Sequence, residues 1–559
     1  MTTVDRILWT VAGLVLFLSF GFTEMMGSDM WWHLAAGREL IQTGSPWMVD
    51  AWSFTAGGGD WLNHEWLADI FYYAWVSLWN VESLVYWKWL VILLTYGTLQ
   101  YTLARENDSW MAGFLCAAMA IAIGAPFIDV RPHLYSLLMF ALLLYLLLGR
   151  QASPWLLALV FVVWVNLHGG FFFGLMALGI LLFPWRDFTV AKFRTAFLIG
   201  LLCVAASALN PSGLKNFLYP LTYAFDQSSP FRGLGEWLSP FKPGGIQSPL
   251  FFYFMWAPLL AVFYAVPLIR RRTGIPWEGL ALTGLTLAMA LTSRRFIPLF
   301  GISLAVMLAP LAAYVCKNLM LARLRPAVAC LALVAALFRL MPYPLSSGPA
   351  FHYLVAEYSY PVDMLNFIEA NRIKGNVYAL YNWGGYIHWR TDGDLQVFID
   401  GRADTVYDAK TYLQYVDVLT EADGWLQSVE DSGAQFFLWP VARNNGQLKL
   451  GQLLASGRWQ PVYRDATAYL LARSDIRLPE EYEVSAAGPY RDLGIAQNFA
   501  WSGEPDKAVT YFEKVRAAVP YQQHACSNLV AIYRGTGRKE QAAQVLADCR
   551  GRFPSRYLQ

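Results

Sequence analysis

A succession of apolar segments through the first 341 residues constrains the fold of this chain more than any other feature. A helix needs about 20 mainly apolar residues to cross a bilayer, and fewer when it is packed inside a bundle. About eleven segments approach that length: 7–26, 82–104, 109–127, 132–149, 153–168, 170–185, 194–210, 249–269, 276–293, 296–316 and 325–341. The sequence therefore predicts a polytopic α-helical membrane protein.

Composition divides the chain into two regimes. Charged residues make up 15% of the chain, whereas a typical soluble domain has about 25%. The deficit lies before residue 342, and residues 342–559 have an ordinary globular composition. We predict a membrane domain (1–341), an α/β domain outside the bilayer (342–486) and two helical repeats (487–559). The net charge of +2 and the scattered basic residues argue against a nucleic-acid partner.

The predicted loops differ in length and in charge. One side carries most of the basic residues, such as the arginine run 270–272, and the positive-inside rule makes that side cytoplasmic. The other side carries the long loops 27–81 and 211–248. An odd number of spans places the N-terminus in the cytoplasm and the C-terminal domains on the outer side of the membrane. Segment 7–26 lacks a convincing cleavage site, so we interpret it as the first span.

Ionisable residues at membrane depth are costly, so each is a candidate for function. Those expected near the outer face come from separate connections but fall at one level: Asp29, His33, Asp50, His64, Glu65, Asp129, Arg131, His133, His168, Glu236, Arg294 and Arg295. This pattern predicts a cavity open to the outer leaflet. Its acids would activate a hydroxyl or amine, and its arginines would hold a phosphate through forked hydrogen bonds.

Two of the acids also have structural interpretations. Asp29 is a suitable N-cap for a helix over 31–41, a role that does not exclude catalysis. Asp129 and Arg131 are close enough in sequence for a plain ion pair across a tight turn. That pair and a phosphate site are equally good interpretations.

The remaining candidates have alternatives as well. Arg294 and Arg295 would also fit a snorkelling role at the membrane interface. His168, in NLHGG, is interpreted as a hydrogen-bonded turn residue. His33 and His64, together with the acids, form a weak pattern for a divalent metal. A metal therefore stays an open alternative.

Short pieces of sequence occur in a recognisable order along the chain: DMWWHLAAGRELI (29–41), DAWSFT (50–55), HEWLA (64–68), RPHLYS (131–136), NLHGGFFFG (166–174), NPSG (210–213), GEWLSP (235–240), SRRFIPLF (293–300), NWGGYIHW (382–389) and VFIDGRADTVY (397–407). One helix precedes a long outer loop that begins with an acid, and an outer C-terminal domain follows further helices. This arrangement resembles the GT-C superfamily of integral-membrane glycosyltransferases. It is most similar to bacterial GT-C-like proteins that carry tetratricopeptide repeats.

The resemblance implies transfer of a sugar from a polyprenyl-phosphate-linked donor to a glycan, lipid or protein acceptor at the periplasmic face. By position, Asp29 matches the acid that acts on the acceptor, and Asp129 matches a second acid. Arg131, or Arg294 with Arg295, would bind the lipid phosphate. Further candidates for substrate binding are His33, Asp50, His64, Glu65 and Glu236. The chain lacks the WWD-type motif of oligosaccharyltransferases and the adjacent Asp-Glu pair of O-mannosyltransferases, so neither of those acceptors is implied.

A different class of function fits the same features. The chain would then be a non-catalytic membrane subunit, in which a transferase-like fold and the repeats anchor a larger assembly. A transporter is disfavoured, because the sequence shows neither inverted repeats nor paired broken helices.

The first part of the C-terminal region predicts a small α/β domain. Strands are expected at 376–381, 396–400, 434–440, 459–464 and 467–473, with helices over 361–371, 409–431 and 446–456. Gly384 and Gly385 indicate a tight turn, because no phosphate-loop spacing is present. Asp400 and Arg402 indicate a turn with an internal ion pair, with substrate contact as the alternative.

An internal repeat follows. Four residues recur 34 positions later, at the tetratricopeptide period: Gly503, Ala508, Phe512 and Pro520 recur as Gly537, Ala542, Leu546 and Pro554. Two repeats are fewer than such arrays need alone, so they are expected to pack on the preceding domain or on a partner. They would act as a stabilising cap or, as we favour, as a protein-docking groove.

The six cysteines fall into two groups. Four lie in or at the ends of predicted spans and are interpreted as packing residues: Cys116, Cys203, Cys316 and Cys330. Cys526 and Cys549 fall on antiparallel partner helices outside the cytoplasm, and we predict a disulfide between them.

Overall fold

The computed structural model describes residues 3–21, 23, 25, 27–150, 152–225, 228–318, 324–340, 359–465, 467–479, 481–483, 491–518 and 523–552. The chain forms two compact units. The first comprises Met1–Thr23, His64–Ala68 and Ser83–Met341, and the second comprises Glu24–Asn63, Asp69–Glu82 and Pro342–Gln559. Most of the long loop after the first helix thus packs with the C-terminal region. The predicted boundaries at 342 and 487 lie outside the described residues.

The regular structure described in the first unit is helical. Its α-helices are Thr3–Gly21, Leu84–Glu106, Trp110–Gly124, His133–Leu147, Pro154–Leu167, Phe171–Leu182, Val190–Ala206, Leu214–Phe225, Pro249–Phe254, Pro267–Thr273, Trp277–Thr292, Ile297–Asn318 and Arg325–Leu340. Short 3-10 helices are Ala125–Phe127, Pro230–Gly233, Ala257–Ala265 and Arg294–Phe296. The predicted spans coincide with these helices, apart from 249–269 and the ends of 7–26 and 325–341, where residues 22, 24, 26 and 341 lie outside the described part.

Several of these helices could serve as membrane spans by length and hydropathy. Three described helices are long and apolar enough to cross a membrane: Thr3–Gly21, Trp110–Phe127 and Arg294–Asn318. Pro249–Ala265 with Pro267–Thr273 is a fourth candidate, bent by 99°. Shorter apolar helices are His133–Leu147, Pro154–Leu167 and Phe171–Leu182.

The prediction of one continuous helix over 249–269 is wrong. An α-helical turn leads into the 3-10 helix Ala257–Ala265, and a sharp bend follows before Pro267. Pro258 and Pro267 explain the break, because proline lacks an amide hydrogen and its ring clashes with the preceding turn.

Small residues allow two helices of the first unit to approach closely. A Cβ atom added at Gly301 would lie 2.9 Å from the carbonyl oxygen of Ala120, on the helix Trp110–Gly124. Small residues at such contacts are typical of helices packed in membranes. The helix Trp110–Gly124 also has a defined start, because the Ser109 side chain accepts a hydrogen bond from the amide of Ala112.

The second unit contains a five-stranded sheet. Its strands and those of a small hairpin are β1 (Met48–Val49), β2 (Asp60–Trp61), β3 (Gly375–Ala379), β4 (Leu395–Val397), β5 (Phe436–Pro440), β6 (Trp459–Arg464) and β7 (Ala468–Arg473). The sheet order is β4-β3-β5-β7-β6, with β4, β3 and β5 parallel and β7 antiparallel to both neighbours. The fully buried β5 lies at its centre.

The long loop after the first helix covers one edge of this sheet. The amide of Val397 donates to the carbonyl of Trp52, and the amide of Phe54 donates to the carbonyl of Val397. The Thr55 hydroxyl donates to the carbonyl of Phe398. The DAWSFT segment therefore satisfies backbone groups that would otherwise be exposed on the edge strand β4.

Helices complete the second unit. They are Asp29–Thr43, Trp66–Leu78 (which begins in the first unit), Val362–Ala370, Tyr381–Thr391, Ala409–Thr420, Trp425–Asp431, Gly446–Ala455, Arg491–Trp501, Pro505–Ala518, Gln523–Gly535 and Lys539–Arg552. The single helix predicted over 409–431 is two helices. Glu421 and Gly424, with φ of 58° and 84°, adopt left-handed conformations that end one helix and precede the next.

The interpretation of Gly384 and Gly385 as a turn is wrong. Both lie inside the helix Tyr381–Thr391 and are buried. A Cβ atom at Gly385 would lie 2.9 Å from Cβ of Trp32, and one at Gly384 would lie 2.5 Å from Cβ of Asp400. These glycines therefore permit Trp32 and Asp400 to pack closely against the helix.

The C-terminal helices form two pairs joined by glycine turns. Gly503 and Gly537, with φ of 75° and 77°, lie between the helices of each pair, and Ala508 and Ala542 are buried. Cys526 and Cys549 form a disulfide that joins the last two helices. Two residues of the predicted repeat lie outside the described part, Pro520 and Pro554.

Candidate functional site

Two arginines share one carboxylate in the first unit. Arg131 Nη1 lies 3.0 Å from Glu236 Oε2, and Arg295 Nη1 lies 3.6 Å from Glu236 Oε1. The Arg295 guanidinium also lies 4.1 Å from the ring centre of Trp237. Each of the three charged side chains is between 25% and 29% exposed. We call this group, Arg131, Glu236 and Arg295, the arginine cluster; its partly exposed charges have a net positive sum.

Loop and helix ends hold the arginine cluster in place. Arg131 lies two residues before the start of the helix His133–Leu147, and Arg295 lies in the 3-10 helix Arg294–Phe296. The backbone amide of Arg295 donates to the carbonyl of Glu236, 3.3 Å away. The Ser293 hydroxyl donates to the same carbonyl at 3.0 Å. The loop that carries Glu236 is therefore fixed to the turn that carries Arg295.

The neighbouring Arg294 has a structural role. It is fully buried, and its guanidinium donates to the carbonyls of Ser239, Lys242 and Gly244. A snorkelling side chain would instead end in the polar interface. Arg294 organises the loop 239–244, which leaves Arg295 as the arginine of this pair that is partly exposed.

Charge interactions dominate the ionisation of Glu236. Burial alone would raise the pKa of this carboxyl, but the charges of Arg131 and Arg295 outweigh burial and lower the pKa to about 2. In an unfolded chain the carboxyl titrates near about 4.3. Glu236 is therefore ionised in the folded protein at any pH near neutrality.

This shift predicts the pH dependence of stability. Because the folded pKa is lower, the ion pairs contribute fully above about pH 4.5 and lose their contribution as the pH falls towards about 2. The melting temperatures of wild type and Glu236→Gln should therefore differ by a constant amount from about pH 5 to 7, and this difference should shrink below about pH 4.5. A difference that does not change with pH would contradict the assignment.

Asp129 and His133 lie near the ends of the same turn. Asp129 Oδ1 accepts a hydrogen bond from the amide of Val130 at 2.7 Å. His133 Nε2 lies 2.7 Å from the carbonyl oxygen of Phe127. Arg131 itself pairs with Glu236, which lies 105 positions further along the chain.

His168 is a turn residue with a defined tautomer. It follows the helix Pro154–Leu167, and its Nδ1 accepts a hydrogen bond from the amide of Gly170 at 2.9 Å. Ser136 Oγ lies 2.7 Å from the same nitrogen. Because Nδ1 is an acceptor, the Ser136 hydroxyl donates to it, while Trp164 Nε1 donates to Ser136 Oγ at 2.8 Å.

Glu65 lies between two histidines of the first unit. Its Oε1 is 3.6 Å from His168 Nε2 and 3.8 Å from His64 Nε2. The His64 ring also packs against Tyr219, with ring centres 5.1 Å apart. The structure thus brings His64 and Glu65 together with His168.

Asp29 lies in the second unit, at the first position of the helix Asp29–Thr43. The expected N-cap role is wrong by one residue, because Ser28 occupies the N-cap position. The Ser28 hydroxyl donates to Asp29 Oδ1 at 3.3 Å. Asp29 is partly exposed, and its negative charge suits the positive end of the helix dipole.

The FIDGRAD segment approaches Asp29 closely. A Cβ atom at Gly401 would lie 3.3 Å from Asp29 Oδ1 and 3.1 Å from the indole of Trp32. The glycine therefore leaves room beside the carboxylate that a larger residue would fill.

His33 and Asp69 form a buried pair in the second unit. His33 Nδ1 lies 2.5 Å from Asp69 Oδ1, and Asn63 Nδ2 donates to Asp69 Oδ2 at 2.7 Å. Burial raises the pKa of Asp69 well above its usual range, and the hydrogen bond from Asn63 opposes this rise only in part. Both side chains of the pair are at most 1% exposed. This contact is a core interaction and leaves His33 without exposure to a substrate.

Asp50 is buried and organises its own loop. Its Oδ1 accepts the amides of Trp52 and Ser53 at 3.1 and 3.3 Å, and its Oδ2 accepts the Ser53 hydroxyl at 2.5 Å. Arg402 Nη2 lies 2.7 Å from Asp50 Oδ1. A buried carboxylate of this kind is satisfied by hydrogen bonds and a counter-charge.

Arg402 joins Asp50 to the FIDGRAD turn. Its Nε and Nη2 both donate to the carboxylate of Asp400, each at 2.8 Å, which is the predicted internal ion pair. The guanidinium lies 4.2 and 4.8 Å from the ring centres of Trp52 and Trp61. We call Asp50, Asp400 and Arg402 the buried triad; it is a structural element.

The structure therefore separates the predicted site residues into distinct environments. In the first unit it brings Arg131, Glu236 and Arg295 together. In the second unit Asp29 is partly exposed, whereas His33 and Asp50 are enclosed in the core. Among the described residues, no group of three or more His, Cys, Asp or Glu side chains has the geometry of a metal site.

Three residues that contact the predicted site residues were not predicted from the sequence: Asp69, Ser136 and Trp237. Each lies in or beside a recognised motif, since Asp69 directly follows HEWLA, Ser136 ends RPHLYS and Trp237 lies in GEWLSP. An acid on a helix next to a histidine motif is the one signal that pointed to Asp69. Nothing in the sequence links Ser136 to His168, because their contact spans 32 residues.

Comparison with known proteins adds no identification. No protein-family model matches the chain, and the search of curated proteins finds no match either. The fold and the sites define a mainly helical protein that combines candidate membrane spans with a second unit built on a five-stranded sheet.

Proposed function

We propose that this chain is a membrane glycosyltransferase of the GT-C type, which moves a sugar from a polyprenyl-phosphate-linked donor to an acceptor at the periplasmic face of a bacterial inner membrane. The arginine cluster carries the proposal. Two guanidinium groups of net positive charge, partly exposed and held by loops between apolar helices, suit a phosphate on a lipid.

The proposed membrane topology contains more spans than the helices that are long enough to cross a membrane alone. About eleven spans, with the N-terminus in the cytoplasm, require the shorter apolar helices to cross the membrane within a bundle. The short helices His133–Leu147, Pro154–Leu167 and Phe171–Leu182 are apolar and follow one another, which supports this arrangement. The shorter length is compatible with packing against neighbouring helices.

The chemistry needs two kinds of group. The bond between the anomeric carbon and the phosphate oxygen breaks, and the arginines stabilise the charge on the departing phosphate. A new bond forms between the anomeric carbon and an acceptor oxygen or nitrogen. The acceptor proton passes to the carboxylate of Asp29, which acts as general base.

Lipid-phosphate binding is the direct test. Arg131→Gln and Arg295→Gln should each weaken binding of polyprenyl phosphate to the full-length protein in nanodiscs by about tenfold or more, because each loses a charge-assisted hydrogen bond. Arg271→Gln, an exposed arginine on the predicted cytoplasmic side, is the matched control and should bind normally. Equal binding of polyprenyl phosphate and uncharged polyprenol by the wild type would refute the phosphate site.

The C-terminal helices support a second role as a docking platform. Two helix pairs with buried alanines, each turning at a glycine, are what tetratricopeptide repeats require. We propose that they bind a protein partner, either beside the transferase activity or in a non-catalytic subunit. The disulfide between Cys526 and Cys549 fixes the second pair.

A further inference from the structure

We infer that a pocket in the second unit binds a carboxylate group, carried either by a small organic acid or by the C-terminal end of a peptide. The inference is independent of sugar transfer. It rests on a cation without an acidic partner, an unsatisfied amide and two indole rings that meet in one small cavity.

The pocket lies between the α/β sheet and the first C-terminal helix, Arg491–Trp501. It is lined by Tyr360, Trp383, Arg443, Gln497, Asn498 and Trp501, among others. Its volume is about 300 Å³ when its open mouth is included. Because this figure includes open solvent, the enclosed part is much smaller and suits a single carboxylate group, with the rest of the ligand at the mouth.

Arg443 is the cation of this pocket. Its Nη2 donates to the carbonyl of Ser359 at 2.7 Å, and its guanidinium lies 5.5 and 5.7 Å from the ring centres of Trp383 and Trp501. Among the described residues no carboxylate forms an ion pair with Arg443. Burial lowers the pKa of Arg443, as expected for a cation that lacks a counter-charge.

Among the described residues of this unit, the two fully buried cations have acidic partners. Arg402 pairs with Asp50 and Asp400, and Lys449 pairs with Glu421. Buried charges in proteins are normally paired in this way. Arg443 is partly buried at the wall of an open pocket, and its guanidinium has no such partner within the described part of the chain.

Asn498 provides a second donor. Its Nδ2 is buried and makes no hydrogen bond within the described part of the chain. Buried polar groups are nearly always satisfied, so an unsatisfied amide at a pocket wall indicates a missing acceptor. Trp501 is 52% exposed at the same pocket and offers an apolar face. One guanidinium and one amide match the two oxygens of a single carboxylate next to an apolar group.

Calorimetry on the full-length protein tests this inference. Benzoate and a short acetylated peptide that ends in phenylalanine with a free carboxylate are the probes, and benzamide and the amidated peptide are their neutral controls. We expect at least one charged probe to bind and its neutral counterpart to bind at least about tenfold more weakly, because the charge-assisted bonds are lost. Tighter binding of the peptide than of benzoate identifies a peptide end as the ligand, and the reverse order identifies a small acid.

Variants connect the binding to the pocket. Arg443→Gln should weaken binding by about tenfold or more, whereas Arg464→Gln, an exposed arginine of strand β6, should leave it unchanged. Asn498→Asp places a carboxylate inside the pocket; it should abolish binding and raise the melting temperature by pairing with Arg443. This variant decides the matter if Arg443→Gln does not fold. No binding of either charged probe, equal binding of charged and neutral probes, or binding unchanged in both variants would overturn the inference.

Discussion

Asp29→Asn is expected to abolish sugar transfer and to leave the protein folded. An amide cannot take up the acceptor proton, and general-base catalysis contributes about 10²–10⁴-fold to the rate. The asparagine oxygen can still accept the hydrogen bond from Ser28, so the start of the helix Asp29–Thr43 should be retained. Transfer of a labelled sugar from a polyprenyl-phosphate donor, with purified protein in liposomes, is the measurement.

A matched control separates catalysis from charge alone. Asp60 is an exposed acid of the same unit, and Asp60→Asn should transfer sugar at the wild-type rate. Full activity of Asp29→Asn would remove this residue from the mechanism. Absence of activity in the wild type, together with normal assembly of Asp29→Asn into a complex, would favour the non-catalytic subunit.

Arg402→Gln is expected to cost about 3–5 kcal/mol of unfolding free energy, since loss of one partner leaves buried charge uncompensated. Asp50 and Asp400 would both lose their counter-charge while they stay buried. The rings of Trp52 and Trp61 would lose their contact with the guanidinium. Chemical unfolding of the full-length protein, followed by tryptophan fluorescence, should report this loss.

The control for the buried triad is again Arg464→Gln. Arg464 is exposed on strand β6, and its replacement should change stability by no more than about 0.5 kcal/mol. Arg402→Lys keeps the charge but loses the planar fork, so its stability should fall between those of wild type and Arg402→Gln. If Arg402→Gln is as stable as Arg464→Gln, the triad does not hold the loop to the sheet.

Local sequence patterns predicted most of the helices and strands, because hydrophobic periodicity and length are local properties. The failures have physical causes that depend on distant residues. Gly384 and Gly385 resemble a turn, but they lie in a helix against which the distant residues Trp32 and Asp400 pack closely. The prolines at 258 and 267 are present in the sequence, and they break the helix that the apolar run 249–269 had predicted.

The sequence predicted which types of residue form the candidate sites. It predicted much less well which of these residues contact each other. Arg131, Glu236 and Arg295 were selected as separate candidates. Only the fold shows that the two arginines share the carboxylate of Glu236. His33 and Asp50 were selected for the same reason, yet core contacts with Asp69 and Arg402 enclose them. A charged residue in a polar loop does not reveal whether it faces solvent or the core.

The second unit is assembled from two stretches of chain that are far apart in sequence, and this has a consequence for biosynthesis. Asp50 and Trp52 leave the ribosome long before Val397 and Arg402, with which they pair. Contacts of such long range form late and slowly. The first loop therefore stays unpaired, with its tryptophans exposed, until more than three hundred further residues have been translated. A nascent chain arrested before residue 397 would present this loop to chaperones and proteases.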